Sequence, residues 1–186
     1  IICISGDRFE QIRKMYPAQK VLYMPKGVSP DEFAVRSRFS FRSFYGIPRE
    51  QKMILCVSRI EPCKNQMLLL RLLRELVDRG SDVHLVIIGP VHSEIYHSEL
   101  NAYINENKLG LRVKLIPGIA PDDPALIAAY QEADIFILPS FEEPFGIVVL
   151  EAWASGLPVI AANIGGIRHL VKDRVNGLVF EPDSLD

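Results

Sequence analysis

The chain has 186 residues, 48% of them apolar, enough to bury one core with a fragment of a second domain beside it. Net charge is −2, and no window approaches about 18 uninterrupted apolar residues, so a helical membrane span and a strongly basic nucleic-acid binder are excluded. Cys3, Cys56 and Cys63 show no C-x-x-C spacing, and His84, His92, His97 and His169 lack metal-ligand spacing, so no disulfide framework and no metal site is expected. The first residues form no basic n-region followed by an apolar stretch, and the expected location is cytoplasmic.

In chain order, Ile1 to Ile4 reads as a strand, Phe9 to Met15 as a short helix and Val21 to Met24 as a second strand. Residues 1–52 carry ten Lys/Arg against five Asp/Glu, and the remainder eleven against eighteen. The basic residues, including Arg36, Arg38, Arg42 and Arg49, are interleaved with Phe and Ser. This predicts a solvated linker face over 29–52, with peripheral contact to an anionic membrane as the lesser alternative.

From Met53 onward, short apolar runs alternate with helical patterns, the signature of stacked β-α units and a parallel sheet. Strands are expected at 53–57, 83–88, 112–116, 134–138, 158–162 and 177–180, and helices at 64–79, 94–107, 124–132, 145–155 and 166–172. The first of these helices buries Leu68, Leu69, Leu72, Leu73 and Leu76 and turns Arg71, Arg74, Glu75 and Arg79 to water. Gly80 and Gly110 supply the expected stops. The result is an α/β, doubly wound, six-stranded Rossmann-like sheet, in which ligands bind beyond the strand C-termini.

Two motifs fall at those ends. Glu143 and Glu151 bracket seven residues, Pro144 to Leu150, with Pro139-Ser140 closing the preceding apolar strand. The helix after Pro144 is apolar on nearly every face, so Glu151 sits where an unpartnered carboxylate is expensive. No Lys or Arg lies one turn away, and a ligand's vicinal hydroxyls would supply the donors. The helix N-terminus near Phe145 and Gly146 offers unpaired amides to an anion. Two hydroxyl-binding carboxylates around an anion site suit a nucleotide sugar. The bland alternative is a surface Glu plus a helix Glu paired to a distant Arg. The second motif is Arg59 and Lys64, five apart across a strand-to-helix loop, placed to converge on one diphosphate. Alternatively, Arg59 pairs with Glu61 and Lys64 is solvated.

The ordered run Pro139-Ser140, Glu143-Pro144-Phe145-Gly146 and Glu151-Ala152-Trp153-Ala154-Ser155-Gly156-Leu157-Pro158-Val159-Ile160 resembles the retaining glycosyltransferases of family four, which have the GT-B fold. Arg59 and Lys64 match that family's Arg-x4-Lys pattern, and Pro25-Lys26-Gly27-Val28 with Phe33 resembles its Pro-Asn-Gly-Val turn and downstream Phe. His169 stands where the family commonly has Glu. The resemblance implies residues 1–28 as the end of an acceptor-binding domain, 29–52 as linker, and 53–186 as a C-terminally truncated donor-binding domain. It implies Glu143, Arg59 and Lys64 as catalytic. It adds Ile116, Phe145, Gly146, Ile147 and Glu151 as donor-binding, with the loop after the third strand against the base. It also implies a metal-independent hexosyltransferase without a cofactor, its acceptor glycan, lipid or small molecule bound by the other half, and little activity in this fragment alone. The sequence lacks Asp-x-Asp, Gly-x-Gly-x-x-Gly and Gly-x4-Gly-Lys-Ser/Thr. The competing readings are glycosidase chemistry between the two carboxylates, another GT-B enzyme such as an epimerase or phosphorylase, and a non-catalytic nucleotide-sugar-binding module.

Overall fold

In the computed structural model, which describes residues 1–120 and 122–182, the six expected apolar runs form one all-parallel sheet. An N-terminal unit precedes it: β1 (Ile2–Cys3) and β2 (Leu22–Tyr23) pair in parallel around α1 (Gly6–Met15). The sheet strands are β3 (Lys52–Val57), β4 (Val83–Ile88), β5 (Val113–Ile116), β6 (Ile135–Leu138), β7 (Val159–Ala162) and β8 (Leu178–Phe180). Their order across the sheet is β5-β4-β3-β6-β7-β8. The winding direction therefore reverses between β3 and β6, which opens a crevice beyond their C-terminal ends.

Every residue of β4 is buried, as a central parallel strand covered on both faces requires. On one face Ile54, Cys56, Leu85 and Ile87 pack against α4 (Gln66–Asp78) and α5 (Glu94–Glu106). On the other, Met53, Leu55, Val86 and Phe136 pack against α6 (Pro124–Glu132) and α7 (Ile147–Ala154). The last helix, α8, is one turn, Ile167–Leu170. Among the described residues no helix is long and apolar enough to cross a membrane.

Three details depart from expectation. The helix after β4, expected over 94–107, ends at Glu106, but its stop is not Gly110: Lys108 takes the left-handed conformation at φ 56°. Lys108 and Leu109 donate back to Asn105 and Ile104, a Schellman closure drawn tight because Leu109 is buried. In α4, which starts at Gln66 after a 3₁₀ turn at Pro62–Lys64, the buried face is Gln66, Leu69, Leu70 and Leu73, spaced at three and four residues, while Leu68, Leu72 and Leu76 lie at its margin.

The third concerns residues 29–52. This segment forms α2 (Pro30–Ala34) and α3 (Phe41–Tyr45), and Phe41 is fully buried in the core. Arg42 is not on a solvated face. It is buried, with Nε on the Glu132 carbonyl, Nη1 on the carbonyls of Pro48 and Gln51, and Nη2 on Asp134 at 2.8 Å. The carboxylate of Glu132 in turn accepts from the amides of Phe41 and Arg42. Burial alone would push the Asp134 carboxyl up, but the Lys52 ammonium, the Met53 amide and the Arg42 guanidinium hold it below its ordinary value.

Candidate functional site at the switch point of the sheet

The crevice between β3 and β6 is bridged by the two loops that carry the sequence motifs. After β3 the chain passes Ser58 and Arg59 into the 3₁₀ turn that ends at Lys64. After β6, Phe141 donates its amide to the Cys63 carbonyl at 2.8 Å, tying the second loop to the first. Lys64 is buried, and its Nζ donates to the Glu142 carbonyl at 2.8 Å and to Glu143 Oε2 at 3.0 Å. An ammonium has three protons. Two are spent on this loop.

The other carboxylate oxygen of Glu143 accepts from the Gly146 amide at 3.0 Å and, more weakly, from Phe145 at 3.5 Å. Glu143 thus caps its own helix. This is why α7 begins at Ile147 rather than at Phe145: Gly146 must turn left-handed, φ 86°, to bring its N–H round to the carboxylate. The loop is clamped from the far side as well. Gly166 donates to the Glu143 carbonyl at 2.8 Å, and a Cβ on Gly165 or Gly166 would fall 2.6 Å or 2.3 Å from the carbonyl oxygens of Glu143 and Pro144. The glycine pair is there for close approach, not merely for a flexible start to α8.

Arg59 is half-exposed and pairs with Glu61 at 2.7 Å. The structure therefore brings Lys64, Glu143, Phe145 and Gly146 into direct contact, and it leaves each of the two cations on its own carboxylate. Ile147 is the first residue of α7 and half-buried. Ile116 ends β5, two strands from β3 and so about 10 Å across the sheet. Its carbonyl accepts from Gly89 and Gly118 and touches none of the other site residues through a hydrogen bond.

Glu151 does have a protein donor, neither the ligand hydroxyls nor the distant Arg that the sequence suggested. The Tyr130 hydroxyl, from α6, reaches its Oε2 at 2.6 Å. Burial pushes the Glu151 carboxyl up and this hydrogen bond pulls it part of the way back. Burial, reinforced by the neighbouring carboxylate, holds the Tyr130 hydroxyl well above its usual range, so it stays a donor. Sequence reasoning missed Tyr130. The signal was there: a phenol on a buried helix needs a partner, as does a carboxylate on another. Glu143 also faces an open cavity of about 400 Å³ between its loop and α1, with Ser5, Arg8 and Gln11 on the opposite wall.

A six-stranded parallel sheet with this strand order, flanked by helices on both faces, is a doubly wound Rossmann-like sheet, and here it matches the C-terminal half of GT-B glycosyltransferases. Solved structures agree. A glycosyltransferase from Rickettsia africae superposes with a TM-score of 0.86 at 25% identity over 98% of this chain and 49% of that one. Anabaena HepE, solved with UDP and glucose, superposes with a TM-score of 0.80 at 27% identity over 97% of this chain and 49% of that one. An uncharacterized glycosyltransferase of Methanocaldococcus jannaschii is 33% identical over the whole of this chain and 48% of its own length. The model of the family "Glycosyl transferases group 1" matches residues 37–186, and the chain belongs to that family. It spans about half the length of the relatives it matches.

Proposed function

We propose that this chain is the donor-binding half of a retaining, metal-independent glycosyltransferase that takes a nucleotide-diphosphate sugar and passes a hexosyl group to an acceptor hydroxyl. The observation that carries the reading is the Lys64–Glu143 pair, largely buried across the switch-point crevice and held by the Gly146 amide at the entry to α7. Such a crevice is where doubly wound sheets bind nucleotides, and the similar Anabaena protein was solved with UDP and glucose.

In this reading Arg59 leaves Glu61, a half-exposed pairing of little strength, and takes the diphosphate together with the third proton of Lys64. Both cations then oppose the charge that grows on the leaving group. Glu143, held in place by the amides of Phe145 and Gly146, reads the sugar on the side of the α1 cavity, with the Ile147 amide beside it. Glu151 reads the ribose and Ile116 flanks the base. The acceptor oxygen bonds to the anomeric carbon on the face from which the diphosphate departs. The carbon–oxygen bond to the diphosphate breaks, and a diphosphate oxygen takes the acceptor proton.

No cofactor is required. Residues 1–28 are the end of an acceptor-binding domain, 29–52 the crossing segment and 53–186 the donor domain, whose last four residues lie outside the described ones. The acceptor, a glycan, lipid or small molecule, is bound chiefly by the other half of the enzyme. We place the enzyme in the cytoplasm, with peripheral membrane contact as the alternative. Titrating this chain with UDP, GDP and ADP, beside the matching nucleosides, tests the reading. Affinity for a diphosphate but not for its nucleoside is expected, and equal affinity for the two would overturn it.

A further inference from the structure

The Phe33 that follows the Pro25–Val28 turn has no role in the donor site as read so far, yet the structure connects it to Glu151. Phe33 lies on α2, in the segment that crosses from the N-terminal unit to the sheet. Its ring meets that of Tyr130 edge-on, 5.9 Å between centroids and 83° between planes. Phe136 of β6 packs on Tyr130 as well, at 5.8 Å and 31°. The phenol is thereby held between a sheet residue and a residue of the crossing segment, and its hydroxyl is delivered to Glu151 Oε2. The crossing segment is itself fastened: Gln131 Nε2 donates to the carbonyls of Phe33 and Val35 at 2.7 and 2.8 Å, and Gln131 Oε1 accepts from the Ser37 amide at 2.8 Å.

The consequence for Glu151 is orientation. Its Oε1 accepts no hydrogen bond among the described residues and is not one of the buried orphan atoms, so it opens to solvent. A carboxylate free to rotate would present either edge to a ligand. One pinned through Oε2 presents Oε1 and the remaining lone pair of Oε2 in a fixed direction, the arrangement needed to accept from two adjacent hydroxyls. We infer that Tyr130 is a positioning residue for ribose recognition by Glu151, and that Phe33 acts behind it by holding the Tyr130 ring, so that the seating of the crossing segment governs how the donor's ribose is read.

This inference rests on the donor reading of the site. It is tested on the 186-residue chain by calorimetry with UDP, GDP and ADP, their 2′-deoxy and 3′-deoxy counterparts, and inorganic pyrophosphate. For the wild type we expect a ribonucleotide to bind roughly tenfold or more better than its deoxy forms, the effect of one charge-assisted hydrogen bond. In Tyr130→Phe that ratio should shrink by roughly threefold or more while pyrophosphate affinity stays put. Phe33→Leu should shrink it less, and Phe33→Tyr, which keeps the ring, should restore it. An unchanged ribose-to-deoxyribose ratio in folded Tyr130→Phe overturns the inference and leaves the donor reading standing. So does an equal loss for pyrophosphate, since that is general damage. If Tyr130→Phe does not fold, the ratio in Phe33→Leu decides in the same way. A wild type that binds none of the three diphosphates overturns both readings together.

Discussion

Lys64 and Glu143 meet at 3.0 Å across the crevice between β3 and β6, with side-chain exposures of 7% and 16%. The pair joins residues 79 positions apart, and each partner is also held by main-chain groups of the α7 loop. Breaking such a pair from one side strands a charge in a poorly solvated place. Lys64→Met should cost about 3–5 kcal/mol of stability, and the double variant Lys64→Met/Glu143→Gln should cost less than the two singles combined. Urea unfolding of the four proteins measures the coupling. A coupling indistinguishable from zero would mean that the pair is incidental.

Arg59 belongs to a different regime, because half of its side chain is in water. Arg59→Ala should leave the melting temperature nearly unchanged, as exposed pairs contribute little. It should weaken binding of a nucleoside diphosphate by roughly ten- to a hundredfold and leave nucleoside binding alone. Repeating the titration at high salt should shrink the wild-type advantage. If diphosphate affinity survives the substitution, Arg59 is not on the phosphates.

Glu151 carries a pH signature whose sign is fixed by its raised pKa. A carboxyl that is harder to ionise when folded lends stability below its unfolded pKa, about 4.3, and that contribution is lost as pH rises through the folded value. Glu151→Gln should therefore melt higher than wild type at neutral pH, with the gap closing in acid. Ribonucleotide affinity runs the other way: it should fall as pH drops through the raised pKa, at less acid pH than for an ordinary Glu. In the Gln variant affinity should be low and flat with pH. A wild-type titration with no such inflection would count against ribose recognition by an ionised Glu151.

Arg42 predicts a purely structural effect far from the crevice. Its guanidinium satisfies three carbonyls and one carboxylate, and no lysine reproduces that fork. Arg42→Ala should cost about 3–5 kcal/mol, and Arg42→Lys should recover only part of it. Because Asp134 is held below its usual pKa, the stability it supplies is present above an ordinary Asp pKa and is lost as pH falls through the depressed value. The gap between wild type and Arg42→Ala should narrow only slightly at low pH, because Lys52 and the Met53 amide supply most of that depression and three of the four Arg42 contacts are to carbonyls that do not titrate.

The proposed division of labour makes a claim about the chain as a whole. Residues 1–186 should bind donor nucleotide yet transfer sugar barely at all, since one wall of the cleft cannot alone position a nucleophile or exclude water. Calorimetry beside a transfer assay measures both. Robust glycosyl transfer by this chain would sink the two-domain scheme.

The sheet was legible because central parallel strands, covered on both faces, are written as nearly continuous apolar runs such as Ile135 to Leu138. Each strand lies within a residue of its expected span. What could not be read was who meets whom. Lys64 finds Glu143 only because β3 and β6 are neighbours, and strand order is not written in any local pattern. Arg42 looked solvated because its partners, Glu132 and Asp134, are some ninety residues downstream. The start of α7 was misplaced by two residues because the capping group was taken for a ligand's contact, when Glu143 does the capping itself. For Tyr130 the partner was 21 residues away on another helix, and two polar tips on apolar surfaces were never matched to each other.

The docking of α2 on α6 has a practical consequence for anyone who wishes to isolate the donor domain. The match to the family model begins at residue 37, and a gene cut there would look conservative. The cut would take away Phe33 and the carbonyls of Phe33 and Val35, unroofing Tyr130 and leaving the Gln131 amide nitrogen without its two acceptors. The natural seam lies upstream of Pro30, where α2 begins. An excised domain that starts at 29 should yield more soluble material than one that starts at 37.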